Sequence, residues 1–363
     1  MSADFNLVIS IVFQLAFIAA GLYGCGRDPE NRSFMSRDYS CFLKAFCCFS
    51  VILAHTGAGE RYCLAGCLHW IAVCLFFLFS GYGLSYGAMY REGYLKTFYR
   101  RLLKSVIPLL LVLALKAACS CSLWSGGMNY MLVAILFYLV FFIVHSLLAG
   151  RKGAVLCGLG LADLLLVGFT LAYSLFTQYF HDARMAQPGF GEGLSYIPAL
   201  FGWGCQSLGF AYGVVLAKKL DSFKSFLSRR RNAVLVLAVC LLLLHVLGYA
   251  YLGTRDLFYV SWTEYGLRAA MTLCLLLVAA VLSQGLRFGN SFIRLVGGIS
   301  SEMFLLHGFV IEMLERCTGR CGDAGGLCRS WPGLFVVVVC LLTFAVAFLL
   351  HQLLKALYRL LRI

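Results

Sequence analysis

Charged residues are scarce in this sequence, and acidic residues are the scarcest. Asp, Glu, Lys and Arg make up 13% of the 363 residues, and only 16 residues are acidic. A soluble domain carries about 25% charged residues, so a soluble globular protein is excluded. The hydrophobic share is 61%, concentrated in blocks long enough to cross a bilayer. The sequence therefore predicts a polytopic helical membrane protein.

Several other signals are also missing. No apolar block shows the alternation, over roughly ten residues, that is typical of an outer-membrane β-barrel strand. No positively charged segment precedes the first block, so we expect a retained helix there and not a cleaved signal peptide. Internal repeats, low-complexity segments and the G-x-S-x-G, Walker A, H-E-x-x-H and Rossmann motifs are absent. The common soluble-enzyme motifs therefore do not indicate a function.

The apolar blocks predict an all-α membrane bundle with about 11 transmembrane helices. The count changes by one if the block at 294–314, which Gly and Ser residues interrupt, is not a complete span. The predicted spans are residues 5–24, 40–57, 68–89, 105–123, 130–149, 154–176, 197–217, 233–252, 267–286, 294–314 and 332–357.

The basic residues predict the orientation. If the N-terminus lies outside, 22 of the 30 Lys and Arg residues fall in inward segments. This split favours an odd number of spans in the cell membrane, with a cytoplasmic C-terminus. The net charge of +14 is then mainly a feature of membrane topology, and we expect no nucleic-acid partner.

Most of the 17 cysteines lie within predicted spans, where cysteine acts as a small apolar residue. Cys317, Cys321 and Cys328 fall in an outward loop, where an oxidising compartment would permit a disulfide. Free thiols are the favoured interpretation for these three. No histidine adjoins them, so we predict no metal site.

The strongest pointer to function is the pair Lys44 and His55 in the block at 39–55. Eleven helical steps place them on nearly one face, about 16 Å apart. Both are costly in a membrane unless they face a polar cavity. A histidine can take a proton from a hydroxyl near neutral pH. The alternative, which the residues leave open, is a snorkelling lysine and a structural histidine.

A second candidate site is the cationic segment at 96–108, treated as an inward loop. Arg101 and Lys104 are three residues apart, so they share a helix face, and Arg100 adds a third charge. Such a cluster suits a cytoplasmic ligand with several phosphates. Basic residues that only follow the positive-inside rule, and bind no ligand, would give the same sequence pattern. The inward loop at 218–232 is interpreted as a basic anchor near anionic lipid.

Two further segments carry small and polar residues. Ser80 and Gly81 interrupt an aromatic span and permit close approach of a backbone or a ligand, and packing is the favoured interpretation. A Gly and Ser break at 297–301 precedes Glu302 and His307. These two residues are five apart and so do not share a helix face, which indicates separate roles.

Taken in order, these motifs resemble the membrane acyltransferase-3 family of O-acyltransferases. Lys44-x₁₀-His55 is similar to the family's Arg/Lys-x₁₀-His motif, and Arg37-Asp38-Tyr39 resembles the segment before it. The residues 77–82 (FLFSGY) are similar to its F-F-x-S-G-[FY] segment. Arg101-x-x-Lys104 stands in the place of its Arg-x-x-Arg motif, and 299–307 (ISSEMFLLH) resembles its late I-S-x-x-x-[YF]-L-x-H signature.

The resemblance implies acyl transfer across the membrane. Acyl-CoA, by default acetyl-CoA, would be a co-substrate, with no permanently bound cofactor. Its phosphates would meet Arg100, Arg101 and Lys104, and its thioester would reach His55, with Lys44 near the cytoplasmic opening. Ser80, Glu302 and His307 would be supporting residues. The acceptor would be an extracytoplasmic carbohydrate.

The resemblance also implies two parts of the chain. Residues 1–34 would form an additional N-terminal helix and inner loop, and 35–363 a ten-span acyltransferase domain. Two other functions stay open from the sequence. One is a transporter or exporter of a glycan or lipid-linked sugar, and the other is a sensor or scaffold without chemistry.

Overall fold

The computed structural model describes residues 3–28, 32–58, 62–63, 68–90, 94–123, 128–147, 208–255, 273, 276–281, 285–319 and 326–362. The predicted span 154–176 and parts of the spans 130–149, 197–217 and 267–286 lie outside these residues. The described part is mostly helical, which confirms the all-α prediction. Its helices are α1 (Ala3–Leu22), α2 (Arg37–His55), α3 (His69–Tyr90), α4 (Tyr94–Ala118), α5 (Met128–Leu147), α6 (Leu208–Lys218), α7 (Leu220–Arg229), α8 (Arg231–Arg255), α9 (Ser291–Gly298), α10 (Ser300–Thr318), α11 (Leu327–Ser330) and α12 (Pro332–Leu360).

Length and hydropathy identify membrane spans among these helices. Within the described residues, Phe5–Leu22 of α1, all of α2 and all of α12 qualify as complete spans. Shorter apolar helices cover Ala72–Gly87 and Tyr130–Ile143. The membrane class is thereby supported, while the number of about 11 spans stays a prediction.

The interruption predicted in the block at 294–314 is confirmed. Helices α9 and α10 together satisfy the same test, but they are bent by 64° at their junction. The junction residue Ile299 caps both helices, and Gly297 and Gly298 close α9. The sequence thus builds one broken membrane segment in place of a straight helix.

A two-stranded antiparallel sheet was not predicted. Strand β1 (Gly26–Asp28) pairs with β2 (Gly285–Arg287), with Arg27 opposite Leu286. The predicted span 267–286 is therefore wrong at its C-terminal end. Gly285 has a φ of +79°, a backbone conformation that an α-helix does not use, so the helix cannot continue through it.

Two segments treated as inward loops are helical. The segment 96–108 forms part of α4, which continues through Pro108, and most of 218–232 forms α7. In α7, Leu220, Phe223 and Leu227 recur at three- and four-residue spacing. This spacing supplies one apolar face for a helix whose other positions, apart from Phe226, are polar.

The described residues fall into two compact units. The first unit contains 1–72, 104–128 and 285–363, and the second contains 73–103 and 129–284. Helices α3 and α4 each contribute to both. The two units are described separately below.

In the first unit, the polar and apolar side chains of α1 are distributed as in a lipid-facing helix. Asn6, Ser10 and Gln14 recur every four residues and are buried, while Val8 and Val12 are exposed. Ser10 Oγ and Gln14 Nε2 both donate hydrogen bonds to the carbonyl oxygen of Tyr62. Burial of the polar stripe and exposure of the apolar one is the arrangement expected in lipid.

Helix α2 is fixed against α9. Ser36 caps its N-terminus by accepting a hydrogen bond from the Tyr39 amide. Arg294 of α9 donates two hydrogen bonds, of 2.9 and 2.8 Å, to the carboxylate of Asp38. Gly297 lies so close that a Cβ atom there would be 2.2 Å from the Cys41 carbonyl oxygen. These contacts set the position of the helix that carries Lys44 and His55.

In the second unit, glycines bring α3 and α6 into close contact. A Cβ atom on Gly81 would lie 2.1 Å from the Phe210 carbonyl oxygen, and one on Gly209 would lie 2.1 Å from that of Cys74. Small residues at a helix contact permit this approach in a membrane bundle. The packing interpretation of the Ser80-Gly81 segment is thus confirmed for Gly81.

The prediction for the outward cysteines was partly wrong. Cys328 is disulfide-bonded, whereas Cys317 is a free and exposed thiol. Cys321 lies outside the described residues. Cys63, from another predicted outward loop, is free and buried. Sequence spacing alone does not report which cysteines the fold brings together.

Candidate active site

His55 stands in the last turn of α2 and is exposed. Its Nδ1 atom lies 2.8 Å from the carbonyl oxygen of Val51 in the preceding turn. A carbonyl oxygen only accepts, so Nδ1 carries the proton of the neutral ring and Nε2 carries the lone pair. The fold thereby fixes the tautomer that can remove a proton from a hydroxyl group.

His307 of α10 lies beside His55, with ring centroids 5.0 Å apart. The His307 side chain has no exposed surface. Its Nδ1 atom lies 2.7 Å from the Phe304 carbonyl oxygen, so this ring also carries its lone pair on Nε2. Nε2 is buried and has no hydrogen-bond partner within the described part of the chain. Such an atom is costly in a folded protein unless water or a bound molecule supplies a donor.

His69 adds a third imidazole, with its ring centroid 6.3 Å from that of His55. The sequence analysis did not select it. The predicted spans did contain a signal, because His55 lies near the end of one span and His69 near the start of the next. Consecutive spans joined by a short connection place those positions at the same end of the bundle.

Lys116 is the other residue that the sequence analysis did not select. Its side chain is fully buried near the end of α4, and its Nζ donates a 3.2 Å hydrogen bond to the Ser122 carbonyl oxygen. It lies within electrostatic range of His307 and of Glu312. Glu312 in turn accepts hydrogen bonds from the Ser122 amide and from Arg316. A cation inside a predicted span was the available signal.

Cys63 is a free cysteine at this end of α2, and it is a poor candidate for a nucleophile. Its Sγ atom lies 3.3 Å from Thr56 Oγ1, directly after His55 in the chain. Burial raises the pKa of the Cys63 thiol, and a thiol is a much weaker nucleophile than a thiolate. The imidazoles are therefore better candidates for the reactive group than this thiol.

Glu302 makes its contacts elsewhere in the first unit. Its Oε1 atom lies 2.7 Å from His351 Nδ1 on α12, and its Oε2 atom accepts a 2.7 Å hydrogen bond from Ser301. Glu302 and His307 thus have different partners, as their spacing predicted.

Lys44, the other residue of the pair predicted on α2, is half-buried.

The candidate phosphate-binding residues lie along helix α4. In the second unit, the Arg101 guanidinium lies over Gly83, where a Cβ atom would be 2.8 Å from Nη1. In the first unit, Lys104 Nζ lies 5.7 Å from the ring centroid of Tyr358. Arg100 is exposed. Gly83 directly follows the segment 77–82, so this contact connects that segment with the cationic cluster, which the sequence analysis treated separately.

Ser80 shares a side-chain hydrogen bond with Tyr130 of α5 in the second unit. Its hydroxyl therefore has a protein partner within the helix packing.

Among the described residues, no group of three His, Cys, Asp or Glu side chains is placed to hold a metal ion. The three imidazoles accordingly do not form a metal site with one another.

These features define the class of the protein: a helical membrane protein with buried polar groups around a cluster of imidazoles. A family model described as an acyltransferase domain matches residues 37–352. The chain belongs to the acyltransferase-3 family and is a membrane acyltransferase. The match contains Lys44, His55, Lys116 and His307. Searches of the curated proteins and of the solved structures gave no match.

Proposed function

We propose that the protein moves an acetyl or other short acyl group from cytoplasmic acyl-CoA to a hydroxyl group of an extracytoplasmic carbohydrate. The observation that supports this most directly is the contact of His55 Nδ1 with the Val51 carbonyl oxygen. The Nδ1 proton is committed to this oxygen, so the Nε2 lone pair is free to accept a proton.

In this proposal His55 is the general base. Nε2 removes the proton of the acceptor hydroxyl while the hydroxyl oxygen attacks the thioester carbonyl carbon. The tetrahedral intermediate then expels the CoA thiolate, and the His55 imidazolium returns the proton to sulfur. One C–S and one O–H bond are broken, one C–O and one S–H bond are formed, and His55 ends neutral.

A transient acyl group on His55 would use the same lone pair. In that route Nε2 attacks the thioester first, and the acceptor hydroxyl displaces the acyl group from the ring in a second step. Acid quenching during turnover with [¹⁴C]acetyl-CoA separates the two routes. Label retained on the protein, and absent from a His55→Gln variant, supports the covalent route.

The donor side of the proposal depends on the cations of α4. Arg101 and Lys104 belong to one continuous helix, and the positive-inside distribution assigns their end of it to the cytoplasm. A guanidinium can bind a phosphate through two hydrogen bonds, and an ammonium binds it as a point charge. Both groups therefore suit the phosphates of CoA, with Arg100 as a third charge.

Inside-out membrane vesicles from cells with and without the protein provide the test. The vesicles are incubated with [¹⁴C]acetyl-CoA, and the glycan fraction is then treated with mild base, which releases O-acetyl esters. We expect base-labile label only when the protein is present. A transporter would leave acetyl-CoA unconsumed, and that result would contradict the proposal.

A further inference from the structure

His307 is a buried polar group that the mechanism above does not use. Its side chain is fully buried, yet Nε2 has no partner in the described part of the chain. An acceptor without a donor is unfavourable unless a donor arrives during function. The neighbouring ring of His55 is a base that acquires such a donor when it takes a proton.

The distance between the rings permits this contact. Each ring nitrogen lies about 1.1 Å from its own centroid, so rings with centroids 5.0 Å apart can bring facing nitrogens to about 2.8 Å, a hydrogen-bond distance, once one of them carries a proton. In the structure itself, with both Nε2 atoms unprotonated, Nε2 of His307 makes no such bond. Both Nδ1 atoms are bound to carbonyl oxygens of their own helices. The Nε2 atoms are therefore the two that remain to share a proton.

We infer that His307 is a positioning residue that holds the proton taken up by His55. This inference depends on the proposed function. When His55 Nε2 has removed the acceptor proton, that N–H donates to Nε2 of His307 and stays there until the thiolate forms. The proton then passes from His55 to the thiolate sulfur, and both rings return to their starting tautomers. No atom or electron is gained or lost.

The arrangement suits a reaction with substrates that arrive from opposite sides. In the proposal the hydroxyl comes from outside and the thioester from the cytoplasm. The proton must therefore remain inside the protein between the two steps. His307 is fully buried, so the acceptor end of this hydrogen bond is closed to water. Other charged or titratable groups around the pair are His69 on α3, Lys116 on α4 and Glu312 on α10.

Two variants at position 307 test the inference by activity. His307→Phe keeps an aromatic ring but removes the acceptor, and His307→Gln keeps an acceptor oxygen. The assay is release of [¹⁴C]acetate from [¹⁴C]acetyl-CoA by purified protein, with water as acceptor. We expect His307→Phe to lower kcat by about 10²-fold with little change in KM, and His307→Gln to recover part of the loss. Leu305→Val, a buried change in the same helix, controls for packing.

A spectroscopic measurement tests the pair without turnover. Protein labelled with ¹⁵N-histidine is titrated by NMR, with His55→Gln and His307→Phe used for assignment. The inference predicts that His55 and His307 change together as a pair that binds one proton. Independent titration of the two rings, or wild-type kcat in His307→Phe, would overturn it.

The two measurements also separate this inference from the proposed function. If wild-type protein neither consumes nor binds acetyl-CoA, the proposed function fails, and the NMR titration still reports whether the proton is shared. If His307→Phe does not fold, as judged by thermal unfolding, the titration of the wild-type protein decides the question.

Discussion

At the scale of single residues, the site is defined by which nitrogen of each imidazole has a partner. His55 was selected from the sequence because Lys44 and His55 share a face of a polar-poor helix. Its contact with His307 could not be predicted, because 252 positions separate the two in the chain. Sequence spacing shows which residues share a face of one helix, but it does not show which helices pack together. The buried lone pair of His307 is visible only in the folded protein.

The contact between Gly83 and Arg101 leads to a residue-scale prediction. An alanine at position 83 would bring its Cβ to within 2.8 Å of Arg101 Nη1, so the guanidinium must move. We expect Gly83→Ala to weaken acetyl-CoA binding about fivefold, and Arg101→Ala to weaken it at least about tenfold. Equilibrium binding of [¹⁴C]acetyl-CoA to purified protein measures both.

The matched control for this prediction lies one turn further along α3. A Cβ atom on Gly87 would meet nothing within 4 Å, so Gly87→Ala should bind acetyl-CoA as the wild type does. Equal affinity of Gly83→Ala, Arg101→Ala and the wild type would remove Arg101 from the acyl-CoA site.

At the scale of helices, the positions of small residues matter more than hydropathy. The broken segment at α9 and α10 was predicted from its Gly and Ser residues, and the structure bends there by 64°. The cationic segments 96–108 and 218–232 were treated as inward loops, although Arg101 and Lys104 were expected to share a helix face. Lys and Arg are good helix formers, however, and these segments carry helical apolar spacing. The basic residues of these segments therefore predict the side of the membrane on which they lie, but they do not indicate a loop.

Two adjacent glycines in α9 lead to an element-scale prediction. Gly297→Ala would place a Cβ atom 2.2 Å from the Cys41 carbonyl oxygen, so α9 must move away from α2. We expect a loss of about 1–3 kcal/mol in the free energy of unfolding, as for other overpacked contacts. At Gly298 a Cβ atom meets nothing within 4 Å, so Gly298→Ala should not destabilise the protein. Thermal unfolding in detergent compares them, and equal melting temperatures would contradict the packing of α9 on α2.

At the scale of the whole molecule, composition predicted a helical membrane protein, and the order of the motifs predicted the acyltransferase-3 family. Both are confirmed, since α1, α2 and α12 meet the criteria for spans and the family model covers residues 37–352. The small sheet that joins β1 to β2 was not predictable, because two strands of three residues have no periodicity to detect. The division of the chain after residue 34 stays a prediction.

The orientation leads to a whole-molecule prediction. An odd number of spans with basic residues inside places the two termini on opposite sides of the membrane. We expect an N-terminal epitope tag to be digested by protease added to intact spheroplasts, and a C-terminal tag to be protected until the membrane is opened. Digestion of both tags from outside would contradict the orientation and the cytoplasmic position of Arg101.

The central claim, that His55 is the base of an acyl transfer, is tested most directly by replacing that ring alone. Purified wild-type protein, His55→Gln and the control His351→Gln, whose ring contacts Glu302, are supplied with [¹⁴C]acetyl-CoA, and the initial rate of acetate release is measured. The account predicts that His55→Gln loses at least about 10²-fold in rate while it still binds acetyl-CoA, and that His351→Gln keeps most of its rate. A His55→Gln protein that releases acetate at the wild-type rate would contradict it.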